Sequence, residues 1–308
     1  DGEESERDQS VCSLTPNAEG VMNAPGHEVL RLQGAKKRTL VLKEADLRGG
    51  SLQLIDCHSC YIYALTCMHA VELIGCTHCT IVLGAVKSVT SASYCSHLKL
   101  YATTKALRLS NCQETTCYLC VSSPPLIWGE NHRLFLAPYG TVYSGLATDM
   151  QKAKVQPQLK HNYWRMPTTF TSNDEAIAVT GSSASPSKEG LRMASPTRRE
   201  SGGAGAEKKW NVLPPNKYLP FHVPLDDVMG GNGGNGVPPH CELPGEYAAS
   251  LLGHVQRLAL ARDDLAGLNC SEEVRNELEA TLHAGFKEWL VKTGNIRQLS
   301  DLAAVNVQ

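Results

Sequence analysis

The sequence lacks an excess of charge of either sign, because its 308 residues include 29 basic and 31 acidic side chains. Binding to nucleic acid or to an anionic membrane through an overall positive field needs many more basic residues, so we expect neither partner. An apolar run long enough to cross a bilayer is also missing, and we therefore expect no transmembrane segment. The chain begins at Asp1 rather than Met, and we interpret it as a fragment or a processed form.

What the sequence has instead is a 19-residue repeat within residues 51–121. Cysteines 57, 76 and 95 mark it, since 76 − 57 and 95 − 76 are both 19. The same step relates an apolar column, Ile62, Ile81, Leu100 and Leu119, and a more polar column beside it, Tyr61, Thr80, Lys99 and Tyr118. Inward and outward residues of a strand alternate with period two. The pattern therefore predicts a mainly β chain folded as a right-handed, three-sided parallel β-helix.

Composition divides the chain into five regions. We expect a flexible lead-in at residues 1–28, a β-helix domain at 29–167, a disordered linker at 168–209, a strand and Gly/Pro-rich connector at 210–240, and a helical region at 241–308. The strand-like runs of the connector are expected to pair with or cap the β-helix, since an exposed end would template aggregation. Apolar residues at helical spacing predict a C-terminal helical hairpin and a short third helix at 296–304.

Two short patterns imitate cofactor and metal sites. The G-x-G-x-x-G pattern at residues 231–236 is followed by two prolines rather than a helix, so we interpret it as a linker and expect no cofactor. Cys57 and Cys60, followed by Cys76 and Cys79, match four-cysteine zinc spacing. The repeat explains these cysteines as buried ladders, because a zinc site gives no reason for the apolar columns to share the same step. We expect no metal, and a zinc-binding module is the alternative.

The outward residues of the repeat form the candidate functional surface. Histidines recur at the corners with no acidic residue beside them in sequence, so no catalytic pair of nucleophile and base is indicated. The predicted protein-binding face consists of Tyr61, Tyr63, His78, His97, Lys99, Tyr101 and Tyr118. Tyrosine-rich flat surfaces favour protein contacts, whereas an ordinary solvated face is the alternative.

Two segments resemble the tubulin-binding cofactor C family, also called C-CAP. Residues 96–104, SHLKLYATT, resemble the stretch of its β-helix domain that carries Q-x-R-x-H, and residues 135–139, FLAPY, resemble its F-A-P-Y run. The resemblance covers residues 30–170 as a domain and 210–304 more loosely. In catalytic members, the resemblance implies, the arginine of Q-x-R-x-H acts as an arginine finger toward tubulin or a small GTPase.

In this chain His97, Lys99 and Tyr101 stand at the three named positions of that stretch. Lysine lacks the planar fork of arginine, which argues against GTPase activation. The resemblance therefore implies a non-catalytic scaffold or adaptor that binds cytoskeletal or centrosomal proteins, with tubulin or an Arf-like GTPase as candidate partners. It implies a location in the cytoplasm and cytoskeleton, at centrosomes, basal bodies or spindle poles, and a role in centrosome positioning and in Golgi or cilium organisation. The rival hypothesis is a GTPase-activating protein that uses Lys99, Arg108 or Arg133.

Overall fold

The computed structural model describes residues 28–143, 145–170, 209–218, 221–222, 241–267, 271–293 and 296. Four expectations lie almost entirely outside these residues. They are the flexible lead-in, most of the linker, the G-x-G-x-x-G pattern and the third C-terminal helix.

The described secondary structure consists of many strands, two short helices between them and two long helices near the end of the chain. The strands are β1 (Val29–Gln33), β2 (Thr39–Leu42), β3 (Ser51–Ile55), β4 (Tyr61–Ala64), β5 (Val71–Ile74), β6 (Thr80–Ser93), β7 (Lys99–Ser110), β8 (Thr116–Val121), β9 (Leu126–Trp128), β10 (Phe135–Pro138), β11 (Thr141–Val142), β12 (Thr168–Thr169), β13 (Asn211–Val212) and β14 (Phe221–His222). The α-helices are α1 (Glu44–Leu47), α2 (Leu146–Ala153), α3 (Gly245–Ala266) and α4 (Glu272–Thr293), and short 3-10 turns lie at Leu159–His161 and Pro215–Lys217.

The strands stack in parallel as a β-solenoid of about 6 turns, which confirms the predicted fold class. One wall contains β2, β4, the start of β6, the start of β7, β8 and β10. A second wall contains β1, β3, β5, the end of β6, the end of β7 and β9. The middle parts of β6 and β7 form the third side, on which α2 packs. Strands β6 and β7 therefore bend through a corner without leaving the ladder.

One coil is two residues shorter than the predicted repeat. Lys99 pairs with Thr116, whereas the 19-residue step had placed Tyr118 in that column. The cause lies in β6, which shifts register against β7 twice, between Val82 and Ala85 and again between Val86 and Val89. Each shift accommodates one extra residue in β6, so the coil that follows is shorter by two. The assignment of Tyr118 and Leu119 to columns was therefore wrong.

The interior of the solenoid is filled by stacked apolar residues. In the corrected register Ile62, Ile81, Leu100 and Cys117 form one fully buried column. Parallel strands lie about 4.8 Å apart, so each side chain contacts its equivalents in the coils on either side. These contacts hold the walls in register, because a slip of one residue would turn the whole column toward solvent.

Later segments return to cover the open end of the solenoid. Strand β13 pairs with β10, β12 pairs with β9, and β14 pairs with β11, all in parallel. These pairings satisfy backbone groups that would otherwise offer a template to another chain. The prediction that the connector strands cap the stack is confirmed.

The predicted C-terminal helices are confirmed as α3 and α4. In the part of the chain that the structure describes, the beginning of α3 is docked through buried Tyr247 and an ion pair of 2.9 Å between Arg165 and Glu246. Beyond it, large apolar side chains are exposed. They are Leu252, Val255, Leu258 and Leu260 in α3, and Val274, Leu282, Phe286, Trp289 and Val291 in α4. No helix in the described part of the chain is both long and apolar enough to span a bilayer.

Candidate functional site

One corner of the solenoid presents a continuous row of polar side chains, which we call the corner ridge. Its residues are Lys37, Ser59, His78, His97, Glu114 and Arg133, one from each successive coil. All six adopt positive φ angles between 46° and 54°, the left-handed region that closes the turn. A non-glycine residue there costs about 1–2 kcal/mol. Backbone hydrogen bonds between neighbouring coils, such as His97 N–H to Gln113 O at 3.0 Å, offset that cost.

Side chains of the corner ridge contact one another along the stack. The rings of His78 and His97 lie parallel with centroids 4.3 Å apart. His97 Nδ1 lies 3.0 Å from Glu114 Oε2, and Arg133 donates to the other carboxylate oxygen of Glu114 at 2.8 Å. Glu114 therefore bridges two cationic or potentially cationic neighbours. Sequence reasoning missed this bridge, although Glu114 follows His97 by the length of the short coil.

Lys99 projects from the wall next to the corner ridge. It is exposed, and its neighbours in the column are Thr80 and Thr116. The described part of the chain offers it no ion pair, whereas Arg133 is engaged by Glu114. The prediction that Lys99, His78 and His97 face outward is confirmed.

Most tyrosines of the predicted face are buried and are therefore not accessible to a partner. Tyr63, Tyr101 and Tyr118 are 0%, 5% and 9% exposed, and Tyr61 is half-buried. The expectation that these tyrosines form an open surface was therefore wrong for three of the four. Burial raises the pKa of Tyr101 and Tyr118 above the ordinary value, since the charged phenolate loses its water.

The chain itself covers part of this tyrosine column. The rings of Tyr101 and Tyr118 stack with their centroids 4.3 Å apart, and the ring centroids of Tyr118 and Tyr218 are 6.1 Å apart. Tyr218 in turn meets Tyr247 edge-on at 5.1 Å. Tyr247 donates its hydroxyl to Leu213 O at 2.5 Å, and burial raises its pKa to about 12. The aromatic residues thus join the solenoid wall to the C-terminal segment.

The cysteines point into the solenoid, as the repeat predicted. Cys57, Cys76, Cys95 and Cys112 occupy one buried column, and Cys60 and Cys79 occupy another, all as free thiols. Their sulfurs donate to backbone carbonyls of the same corner, for example Cys79 to Thr77 O at 3.3 Å. Among the described residues, no group of three or more His, Cys, Asp or Glu side chains is arranged to hold a metal ion.

The corner ridge is suited to binding rather than to covalent chemistry. His97 and Glu114 have the spacing of a base and its orienting acid, but catalysis by this pair also needs a nucleophile at hydrogen-bond distance. No hydroxyl or thiol is hydrogen-bonded to His97 within the ranges that the structure describes. Arg108, the other exposed arginine considered from the sequence, lies on the second wall between Ser91 and Leu126. It is therefore separated from the corner ridge.

The solenoid region matches a known family. Residues 49–170 match the family described as Tubulin binding cofactor C. Curated relatives with the name TBCC domain-containing protein 1 are similar to 90% of the chain. The protein from Xenopus tropicalis is 26% identical over 284 residues, with 44% of its own length covered. Those from Mus musculus and Homo sapiens are 24% and 23% identical, each with 43% covered.

The chain thus spans less than half of the length of the curated relatives that it matches. Similarity extends beyond the solenoid into the C-terminal region, because the family match ends at residue 170 while the relatives align with 90% of the chain. These findings confirm the resemblance drawn from the sequence: residues 49–170 of the solenoid match the tubulin binding cofactor C family.

Proposed function

We propose that this chain is a non-catalytic adaptor of the cytoskeleton that binds tubulin or another cytoskeletal or centrosomal protein through the corner ridge and Lys99. The observation that carries the proposal is the exposure of His78, His97 and Lys99 side by side on a rigid wall. The neighbouring tyrosine column, in contrast, is buried. The name of the matching family supports tubulin as a partner.

The proposal places the protein in the cytoplasm, at centrosomes, basal bodies or spindle poles. There it would contribute to centrosome positioning and to Golgi or cilium organisation. The support for this part is the similarity to TBCC domain-containing protein 1 over 90% of the chain. Imaging of the tagged chain together with a centrosome marker tests it, and a uniform distribution without enrichment would contradict it.

Binding of purified tubulin to the immobilised chain tests the role of the surface. We expect the triple substitution His78→Ala, His97→Ala and Lys99→Ala to weaken binding by about ten-fold or more, since central interface residues dominate affinity. Lys87→Ala is the matched control, because Lys87 is exposed on the third side, away from the corner ridge. Equal affinity of the triple variant and the control would contradict the assignment of this surface.

The rival function is activation of a GTPase by an inserted cation. One observation favours keeping it: Arg108 is exposed, and the described residues provide no ion pair for it. Arg133 is less suitable because Glu114 already binds its guanidinium. Arginine fingers raise hydrolysis rates about 10³–10⁵-fold. Stimulated GTP hydrolysis that is abolished by Arg108→Ala would establish the rival function.

A further inference from the structure

We propose that the corner ridge and its flanking cations bind an extended, glutamate- or aspartate-rich peptide segment of the partner protein. This inference rests on the proposed function, because it specifies what the same surface recognises. The basic and potentially basic side chains on the ridge and beside it are Lys36, Lys37, His58, His78, His97, Lys99, His132 and Arg133. All eight are exposed.

The charge of this surface differs from that of the whole chain. The chain has a formal net charge of -2, yet Glu114 is the only carboxylate among the ridge residues and their immediate strand-side neighbours. On the opposite flank of the corner, two exposed residues carry carboxylates, Asp56 and Glu130. A broad anionic surface would contact these two carboxylates and be repelled. A narrow acidic strand that follows the ridge avoids them.

The dimensions of the ridge fit a short peptide. Neighbouring coils lie about 4.8 Å apart, so the five steps from Lys37 to Arg133 span about 24 Å. An extended peptide rises about 3.3 Å per residue, and about seven residues therefore cover the ridge. From Lys37 to Glu114, the backbone N–H of each ridge residue donates a hydrogen bond to the next coil, as in His78 N–H to Ser96 O at 3.0 Å. This rigidity reduces the ordering cost of binding.

Glu114 allows a direct test of acidic-peptide binding, because its removal should increase the affinity. Its carboxylate bridges His97 and Arg133, and it also opposes the approach of an acidic ligand. Replacing it with glutamine removes the repulsion and releases Arg133 for the ligand. Glu114→Gln should therefore strengthen peptide binding, a result that damage to the fold does not produce.

The experiment measures fluorescence anisotropy of a labelled octaglutamate peptide with the complete 308-residue chain at low salt. We expect Lys99→Gln to weaken binding by about two- to five-fold, and Glu114→Gln to strengthen it by a similar factor. Combined Lys36→Gln, Lys37→Gln and Lys99→Gln should weaken it by about ten-fold or more. Glu72→Gln, on the second wall, is the matched control and should leave the affinity unchanged, since Glu72 is exposed and far from the ridge.

Three results would overturn the inference. They are absence of octaglutamate binding, unchanged affinity in the lysine and Glu114 variants, and equally tight binding of an eight-nucleotide oligouridine. If tubulin binding still depends on Lys99 while octaglutamate does not bind, the inference fails and the proposed function stands. If the triple variant of the proposed function also binds tubulin normally, both fail.

Discussion

Replacement of Tyr247 tests the finding that the C-terminal segment covers the tyrosine column of the solenoid. Tyr247 is fully buried, meets Trp164 edge-on at 5.8 Å and Tyr218 at 5.1 Å, and donates a hydrogen bond to Leu213 O. Truncation of a buried aromatic side chain to alanine costs about 3–5 kcal/mol. We therefore expect Tyr247→Ala to reduce the free energy of unfolding of the docked segment by about 4 kcal/mol.

The conservative variant separates packing from hydrogen bonding. Tyr247→Phe keeps the ring contacts and removes only the donor to Leu213 O, so we expect a loss of about 1–2 kcal/mol. Val255→Ala is the matched control in the same helix, because Val255 is 63% exposed and its truncation should cost no more than about 0.5 kcal/mol.

Urea denaturation provides the free energies, and nitration followed by mass spectrometry reports the exposure of Tyr118. Tyr247→Ala should make Tyr118 reactive at urea concentrations where the wild-type residue is protected, since Tyr218 then loses its support. If Tyr247→Ala costs no more than Val255→Ala, or leaves Tyr118 protected, the C-terminal segment does not hold the cover in place.

Three further predictions concern the solenoid itself. Gly84→Ala should destabilise the protein by about 3 kcal/mol or more in thermal or urea denaturation, because the new Cβ would meet the backbone carbonyl of Thr66, whereas Gly285→Ala has open space in α4 and should stabilise that helix by about 1 kcal/mol. Metal analysis of the purified chain should find less than one zinc per chain, and EDTA should leave its melting temperature unchanged; one tightly bound zinc would support the alternative reading of the cysteines. Desolvation raises the pKa of Asp149 above its ordinary 3.8, so its contribution to stability is present below that value and is lost as pH rises through the raised pKa. Asp149→Asn should remove this pH-dependent loss of stability, and an equal pH dependence of unfolding in the wild type and the variant would contradict this role of Asp149.

The coil architecture was predictable because its signal is local and repeated. Inward columns such as Ile62, Ile81 and Leu100 recur at a fixed step, and the alternation of apolar and polar residues identifies strands directly. The shorter coil was not predictable from that step. The length of that coil depends on two register shifts within β6. Tyr118 fits the pattern whether it pairs with Lys99, as a 19-residue step requires, or with Tyr101, as in the structure.

The candidate site was predicted only in part. His78, His97 and Lys99 project outward because a corner or an alternating strand position fixes their direction. The burial of Tyr118 depends on Tyr218, which is 100 residues later in the chain and lies beyond the linker. Periodicity contains no information about which outward column a distant segment will cover. The Glu114 bridge was missed for a related reason, since its position follows from the length of the short coil.

The decisive measurement is single-turnover hydrolysis of GTP by tubulin, at a concentration of the chain that saturates tubulin binding. A non-catalytic adaptor should leave the hydrolysis rate the same with and without the chain, and the same again with Lys99→Ala. Stimulation that Lys99→Ala or Arg108→Ala abolishes would contradict a non-catalytic adaptor and establish a GTPase-activating protein.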